Sequence, residues 1–165
     1  MTKQTKHSTA IHEAGHAVIG RVLDLPCGYA TIIADDDSAG HAITHDQWVT
    51  LGHWEDHCGK YHRDEPTALR ARIIVLMAGA EAERELLGQC AGGDGQDRRQ
   101  ITFMGDTLMD TFSPAWDRWE TRLRRQTVRL VRRHRKAIER VATALVEKET
   151  LAATEIDALM DEARA

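Results

Sequence analysis

The chain has 165 residues, 42% of them hydrophobic, and a formal charge of −4. This is the size of one ordinary domain with enough apolar material for a core, and nothing in the charge balance calls for nucleic acid. Its three cysteines, Cys27, Cys58 and Cys90, are odd in number and widely spaced without a CxxC pair. That spacing argues against a disulfide framework and for a reducing compartment, the cytoplasm.

The polar start through Ser8 lacks the apolar stretch of a secretion signal. The longest apolar run, Ile73 to Ala80, is far too short to span a bilayer. The first patterned stretch runs from Ser8 to Leu23–Leu25, with Ser8 or Thr9 as cap, Pro26 as stop and Gly28 allowing the turn. It contains His12-Glu13-Ala14-Gly15-His16, an HExxH pattern. On a helix, positions i and i+4 share a face, so His12 and His16 point the same way and can grip one zinc ion. Glu13 is too close in sequence to join that coordination set, but is well placed as a base that deprotonates water. Burying two histidines and a glutamate in an apolar helix is costly unless something satisfies them.

Tyr29 to Ala34 reads as a strand, bounded by the acidic turn Asp35-Asp36-Asp37, and a second strand from Ala39 to Thr44 would complete a small hairpin. Between Asp46 and Glu65 the pattern is illegible: Trp48, His53, Trp54, His57, Cys58 and His62 are scattered among charges. His53 and His57 repeat the i, i+4 spacing beside Cys58, but a histidine-rich loop or short helix is the better account than a second metal site. His41 and His45 share that spacing on a strand, where they would not converge.

Pro66 and Thr67 open a helix that is apolar nearly all round from Ile73 to Ala80 and ends at Gly88, as a buried helix should. It is expected to pack on the HExxH helix. A glycine-rich loop from Gly92 to Asp97 leads into a helix from about Gln96 to Met109. Ser113-Pro114 caps the next one, whose apolar stripe runs from Leu123 through Thr127, Leu130, Ile138 and Val141 to Leu145, with a bend or break near His134. Thr154-Glu155-Ile156-Asp157 reads as a capping-box variant opening a last short helix. The expected fold is mainly α with a small β-sheet (α+β), one domain over residues 1–165.

Two histidines do not complete a catalytic zinc site, which needs three protein ligands and an open position. No third ligand follows close behind His16, so it must come from far along the chain, and Glu81, Glu83, Glu85, Asp94 and Asp97 are eligible.

HEAGHAVIG, AGAEAERELLG, GGDGQDRRQIT and LVEKETLAATEIDALM, in this order, resemble successive blocks of the peptidase domain of FtsH-type ATP-dependent zinc metalloproteases. The likeness covers nearly the whole chain. It implies an FtsH-peptidase-like helical domain with one Zn2+ per chain, His12 and His16 as ligands and Glu13 as catalytic base. The family's third ligand is the aspartate of a Gly-x-x-Asn-Asp segment. Asp97 matches it, with Gln96 in place of the asparagine, and Asp94 is the alternative. Glu83 matches a family glutamate near the metal, either orienting a histidine or simply solvated beside Arg84. Ser38-Ala39-Gly40-His41 resembles the family's edge strand, so Ala39, Gly40, His41 and Ala42 are candidates for binding substrate main chain.

The resemblance also marks departures, since FtsH-type enzymes carry a membrane anchor and an AAA ATPase and no GxxxxGK[ST] sequence occurs here. The expected activity is zinc-dependent endopeptidase cleavage of unfolded or flexible polypeptides, without ATP hydrolysis in this chain. A separate ATPase or adaptor is a possible partner. The competing reading is a catalytically weak interaction or regulatory protein that retains the fold and the zinc. The family implies rings of six, but a monomer is feasible at this size. The basic run from Arg122 to Lys136 could be read as a cationic surface for nucleic acid or an acidic partner, but a solvated or ion-paired helix face is the better expectation.

Overall fold

The computed structural model describes residues 3–25, 27–34, 41–44, 65–90 and 94–163. The elements are α1 (Lys3–Val22), β1 (Cys27–Thr31), β2 (His41–Thr44), α2 (Glu65–Leu87), α3 (Gly95–Leu108), α4 (Pro114–Arg133), α5 (Arg135–Lys148), β3 (Thr150–Ala152) and α6 (Ala153–Glu162). His45, Trp48, His53, Trp54, His57, Cys58 and His62 lie outside the described residues, as do Ala39 and Gly40. The mainly helical class with a small sheet is as expected.

Helix α1 starts at Lys3, before either expected cap. The hydroxyls explain the difference. Thr9 Oγ1 donates back to the Thr5 carbonyl at 3.1 Å within the helix, and Ser8 Oγ donates across to Glu83 Oε2 of the neighbouring helix α2 at 2.8 Å, so neither caps α1. Ala10, Ile11, Ala14, Ala17, Val18 and Ile19 are all buried. The helix packs on α2 and on α5. At Gly15 the contact with α2 is backbone to side: an added Cβ would stand 2.7 Å from the Ala78 carbonyl oxygen. Only glycine lets the two helices approach this closely.

Helix α2 occupies the middle of the molecule. Every residue from Ile73 to Ala82 is buried, Glu81 included, which is why this stretch is apolar nearly all round. Helices α1, α3 and α4 all lie against it. Gly88, with φ +77°, ends it in the left-handed region that a Cβ disfavours.

The sheet has three strands in the order β2-β1-β3, with both pairs antiparallel. β1 is displaced from the expected Tyr29–Ala34. Gly28 lies inside it, where the register with β2 shifts between Cys27 and Tyr29. Beyond its far end at Thr31, the Ile32 N–H still donates to the Glu149 carbonyl, just ahead of β3, at 2.9 Å. The third strand was unexpected, since its three residues read as the approach to a helix. Leu151, fully buried opposite Ala30, draws this segment into the sheet. The expected capping box moves with it: Thr154 lies inside α6, and Glu155 accepts from the Ala152 N–H at 3.0 Å.

The break near His134 is real, separating α4 from α5. Ser113 caps α4 as expected, its Oγ accepting from the Trp116 N–H at 3.3 Å with Pro114 in the first turn. Leu123, Thr127 and Val131 of α4 and Ile138, Val141 and Leu145 of α5 are buried, and one continuous apolar cluster reaches from Ala10 to Met160. Among the described residues no helix is long and apolar enough to cross a membrane.

Candidate metal centre

The centre is assembled from three helices. His12 and His16 stand one turn apart on α1, with ring centroids 4.7 Å apart in an edge-to-face arrangement. Both are 7% exposed and lie against Gly79 of α2, so the rings face α2 and not solvent. Each ring is fixed by its outer nitrogen. His16 Nδ1–H donates to the Val75 carbonyl at 2.7 Å, and since a carbonyl can only accept, this bond sets the ring's orientation and protonated nitrogen. His12 Nδ1–H donates to Glu83 Oε1 at 2.6 Å. Glu83 is itself only 2% exposed and is held by Ser8, which removes the reading of a solvated side chain beside Arg84.

Both inner nitrogens then converge on one atom. Asp97 Oδ2 lies 3.1 Å from His12 Nε2 and 3.3 Å from His16 Nε2. Asp97 sits in the first turn of α3, brought here because α3 packs on α2. Desolvation opposes charge in this cluster, but attraction outweighs it. The carboxylates of Asp97 and Glu83, with Glu13 nearby, push the His12 pKa up to about 10 against burial. Burial likewise disfavours the Asp97 carboxylate, yet the charges and hydrogen bonds of His16 and His12 hold its pKa well below the usual range.

The residues fit a divalent cation. One ligand atom from each of His12, His16 and Asp97 lies within 4.8 Å of the others. Donors about 2.0–2.1 Å from a tetrahedral zinc ion stand roughly 3.3 Å from each other, close to the nitrogen–oxygen separations found here. Two imidazoles and a carboxylate suit that metal. Space is reserved as well: a Cβ on Gly79 would fall 2.6 Å from the Nε2 atoms of both histidines.

Of the expected site residues, the structure brings His12, His16, Asp97 and Glu83 together. Glu13 is buried at 5% exposure beside them and adds to the field on His12. Asp94 goes elsewhere: its Oδ2 accepts from Arg98 Nε at 2.9 Å and lies 3.8 Å from Arg84, outside the three-residue group. Glu81 and Glu85 accept from arginines of α4. His41 and Ala42 lie in β2, an edge of the sheet among the described residues. Sequence reasoning missed Gly79, the Val75 carbonyl and Ser8. A lone glycine inside an apolar helix was the available sign of the first. A backbone carbonyl carries no sequence signal at all.

The model for peptidase family M41 matches residues 1–115, which include every member of this centre. The chain belongs to peptidase family M41. Its relatives include the ATP-dependent zinc metalloprotease FtsH 4 of Sorangium cellulosum, 26% identical over an alignment covering 97% of this chain and 30% of that protein. The ATP-dependent zinc metalloprotease FtsH of Corynebacterium glutamicum is 31% identical over 70% of this chain and 13% of its own length. That of Pelobacter propionicus is 32% identical over 64% of this chain and 16% of its own length. The M41 chain described here thus spans less than a third of the curated relatives it matches.

Proposed function

We propose that this chain is one peptidase domain, a zinc-dependent metalloendopeptidase that cleaves unfolded or flexible polypeptides. The observation that carries the reading is the approach of His12 Nε2 and His16 Nε2 to a single Asp97 oxygen, with the buried Glu13 next in sequence to one of them. His12, His16 and Asp97 would hold one zinc ion per chain. Bound there, zinc supplies a Lewis acid that acidifies water and polarises a carbonyl.

The chain's own groups do the rest. Glu13 takes a proton from the attacking water and delivers it to the leaving amine, a transfer that proceeds best from a carboxylate shielded from bulk solvent. Glu83 and the Val75 carbonyl hold the outer nitrogens of the two histidines and keep the inner lone pairs aimed at one point. A substrate strand adds along Ala39 to Ala42, a segment of which His41 and Ala42 belong to β2, through main-chain hydrogen bonds that do not read side chains, and broad specificity follows. The relatives are named ATP-dependent, yet these 165 residues contain no GxxxxGK[ST]. In this reading ATP-driven unfolding belongs to another module or to a separate ATPase or adaptor.

The test is a Glu13→Gln protein whose zinc content is measured before use. Wild type should generate new N-termini in casein, and the variant should retain zinc and lose about 10²- to 10⁴-fold in rate. Equal rates with zinc in place would remove Glu13 as the base. A zinc-loaded wild type that produces no new N-termini would leave a zinc-holding interaction protein.

A further inference from the structure

The basic run of α4 divides into two sets by where its side chains go. Arg124 bonds Glu81 and Glu120, and Arg132 bonds Glu85, so these two tie α4 to α2 or to itself. Arg118, Arg122, Arg125, Arg129 and Arg133 are exposed, and none has an ion pair among the described residues. Their spacings of four, three, four and four residues are those of a single helical face. On a helix the five fall within an arc of about 80°, nearly opposite the face that buries Leu123, Thr127 and Val131. The helix's two acids, Asp117 and Glu120, lie outside that arc. The result is a guanidinium ladder about 22 Å long, with one group every 4.5 to 6 Å or so.

We propose that this outer face of α4 is a docking surface for an acidic segment of a partner polypeptide. Five like charges on one stripe repel each other, and an arginine fork is best satisfied by carboxylates taken two bonds at a time. A segment with acids at helical spacing has the same rise between charges as the ladder. Seven arginines against two acids put α4 at +5, and since the whole chain is at −4, the remainder stands at −9. The basic stripe is thus a local feature of an acidic chain, and a segment of about fifteen residues matches its length, so a short acidic segment can neutralise it without extending beyond it. The stripe lies nearly opposite the buried face of α4, and none of its five arginines belongs to the metal centre.

The experiment uses fluorescence anisotropy with a labelled oligo-glutamate peptide of about fifteen residues, long enough to run the length of the stripe as a helix. Saturable, salt-sensitive binding is expected. The double variant Arg122→Glu/Arg125→Glu should weaken it by about tenfold or more, while Arg70→Glu/Arg99→Glu, which changes net charge equally on α2 and α3, should change it less than about twofold. Unaltered thermal unfolding of both variants confirms that they are folded. Three results would overturn the proposal: no saturable binding at low ionic strength, equal weakening in both double variants, or tighter binding of a single-stranded oligonucleotide or phosphatidylserine vesicles than of the peptide.

Discussion

Gly79 faces His12 so closely that a Cβ on the glycine would fall 2.6 Å from the imidazole Nε2. That ring cannot swing aside without giving up its 2.6 Å bond to Glu83. Gly79→Ala should therefore bind zinc at least about tenfold more weakly than wild type, and overpacking should cost about 1–3 kcal/mol of stability. Chelator competition and denaturant unfolding read the two effects separately. An alanine variant with wild-type zinc affinity would show that the glycine reserves no space for the metal.

Glu83 reaches the centre through its bond to His12 Nδ1. Glu83→Gln keeps the volume and an acceptor, but removes the negative charge from a bond between groups of 7% and 2% exposure. We expect zinc affinity to fall by about 10- to 100-fold, with activity recovered on adding excess metal. Activity lost at saturating zinc would instead assign Glu83 a part in the reaction itself.

The pH dependence of the metal-free protein has a definite sign. Burial works against the His12 imidazolium, but Asp97 and Glu83 raise its pKa from 6.5 to about 10. Its stabilisation is then fully present below about 6.5 and is lost as pH rises through the folded value. Asp97 is shifted the other way, so its contribution is present above its unfolded value and is lost on acidification. In a chelator the melting temperature should fall from about pH 6.5 toward pH 10. Zinc requires His12 deprotonated, so the extra stability it confers should grow over the lower part of that range. A chelated protein that melts higher as pH rises would contradict the ion pairing described here.

Glu81 is buried like Glu83, two residues away, yet serves packing. Its Oε1 accepts from Arg84 at 2.7 Å and from Arg124 at 2.6 Å, which joins α2 to α4. Both arginines are about one-third exposed and can rehydrate, so Glu81→Gln should cost a modest amount, about 1–3 kcal/mol. Zinc content should not change. Loss of zinc without loss of stability would move Glu81 into the metal centre.

Helical periodicity carried most of the fold. The buried middle of α2, the cap at Ser113, the break at His134 and the i, i+4 pair on α1 are local patterns, legible because one helical turn relates the residues concerned. Errors fell where a local signal served a distant partner. Ser8 looked like a cap because its hydroxyl is suited to one, but Glu83 claims it. The segment from Thr150 to Ala152 is too short to show alternation, and only the proximity of β1 makes it a strand.

The chain's linear order by itself determined that His12 and His16 share a face and that Glu13 accompanies them, since i, i+1 and i+4 geometry belongs to any helix. It could name Asp97 only by likeness to a family and left five carboxylates open on spacing alone. Choosing among them was tertiary work. The approach of α3 to α2 sets Asp97 against both inner nitrogens, while Arg98 holds Asp94 aside and arginines of α4 bind Glu81 and Glu85. Which carboxylate meets the histidines depends on helix packing through glycine contacts and ion pairs, and these have no period along the chain.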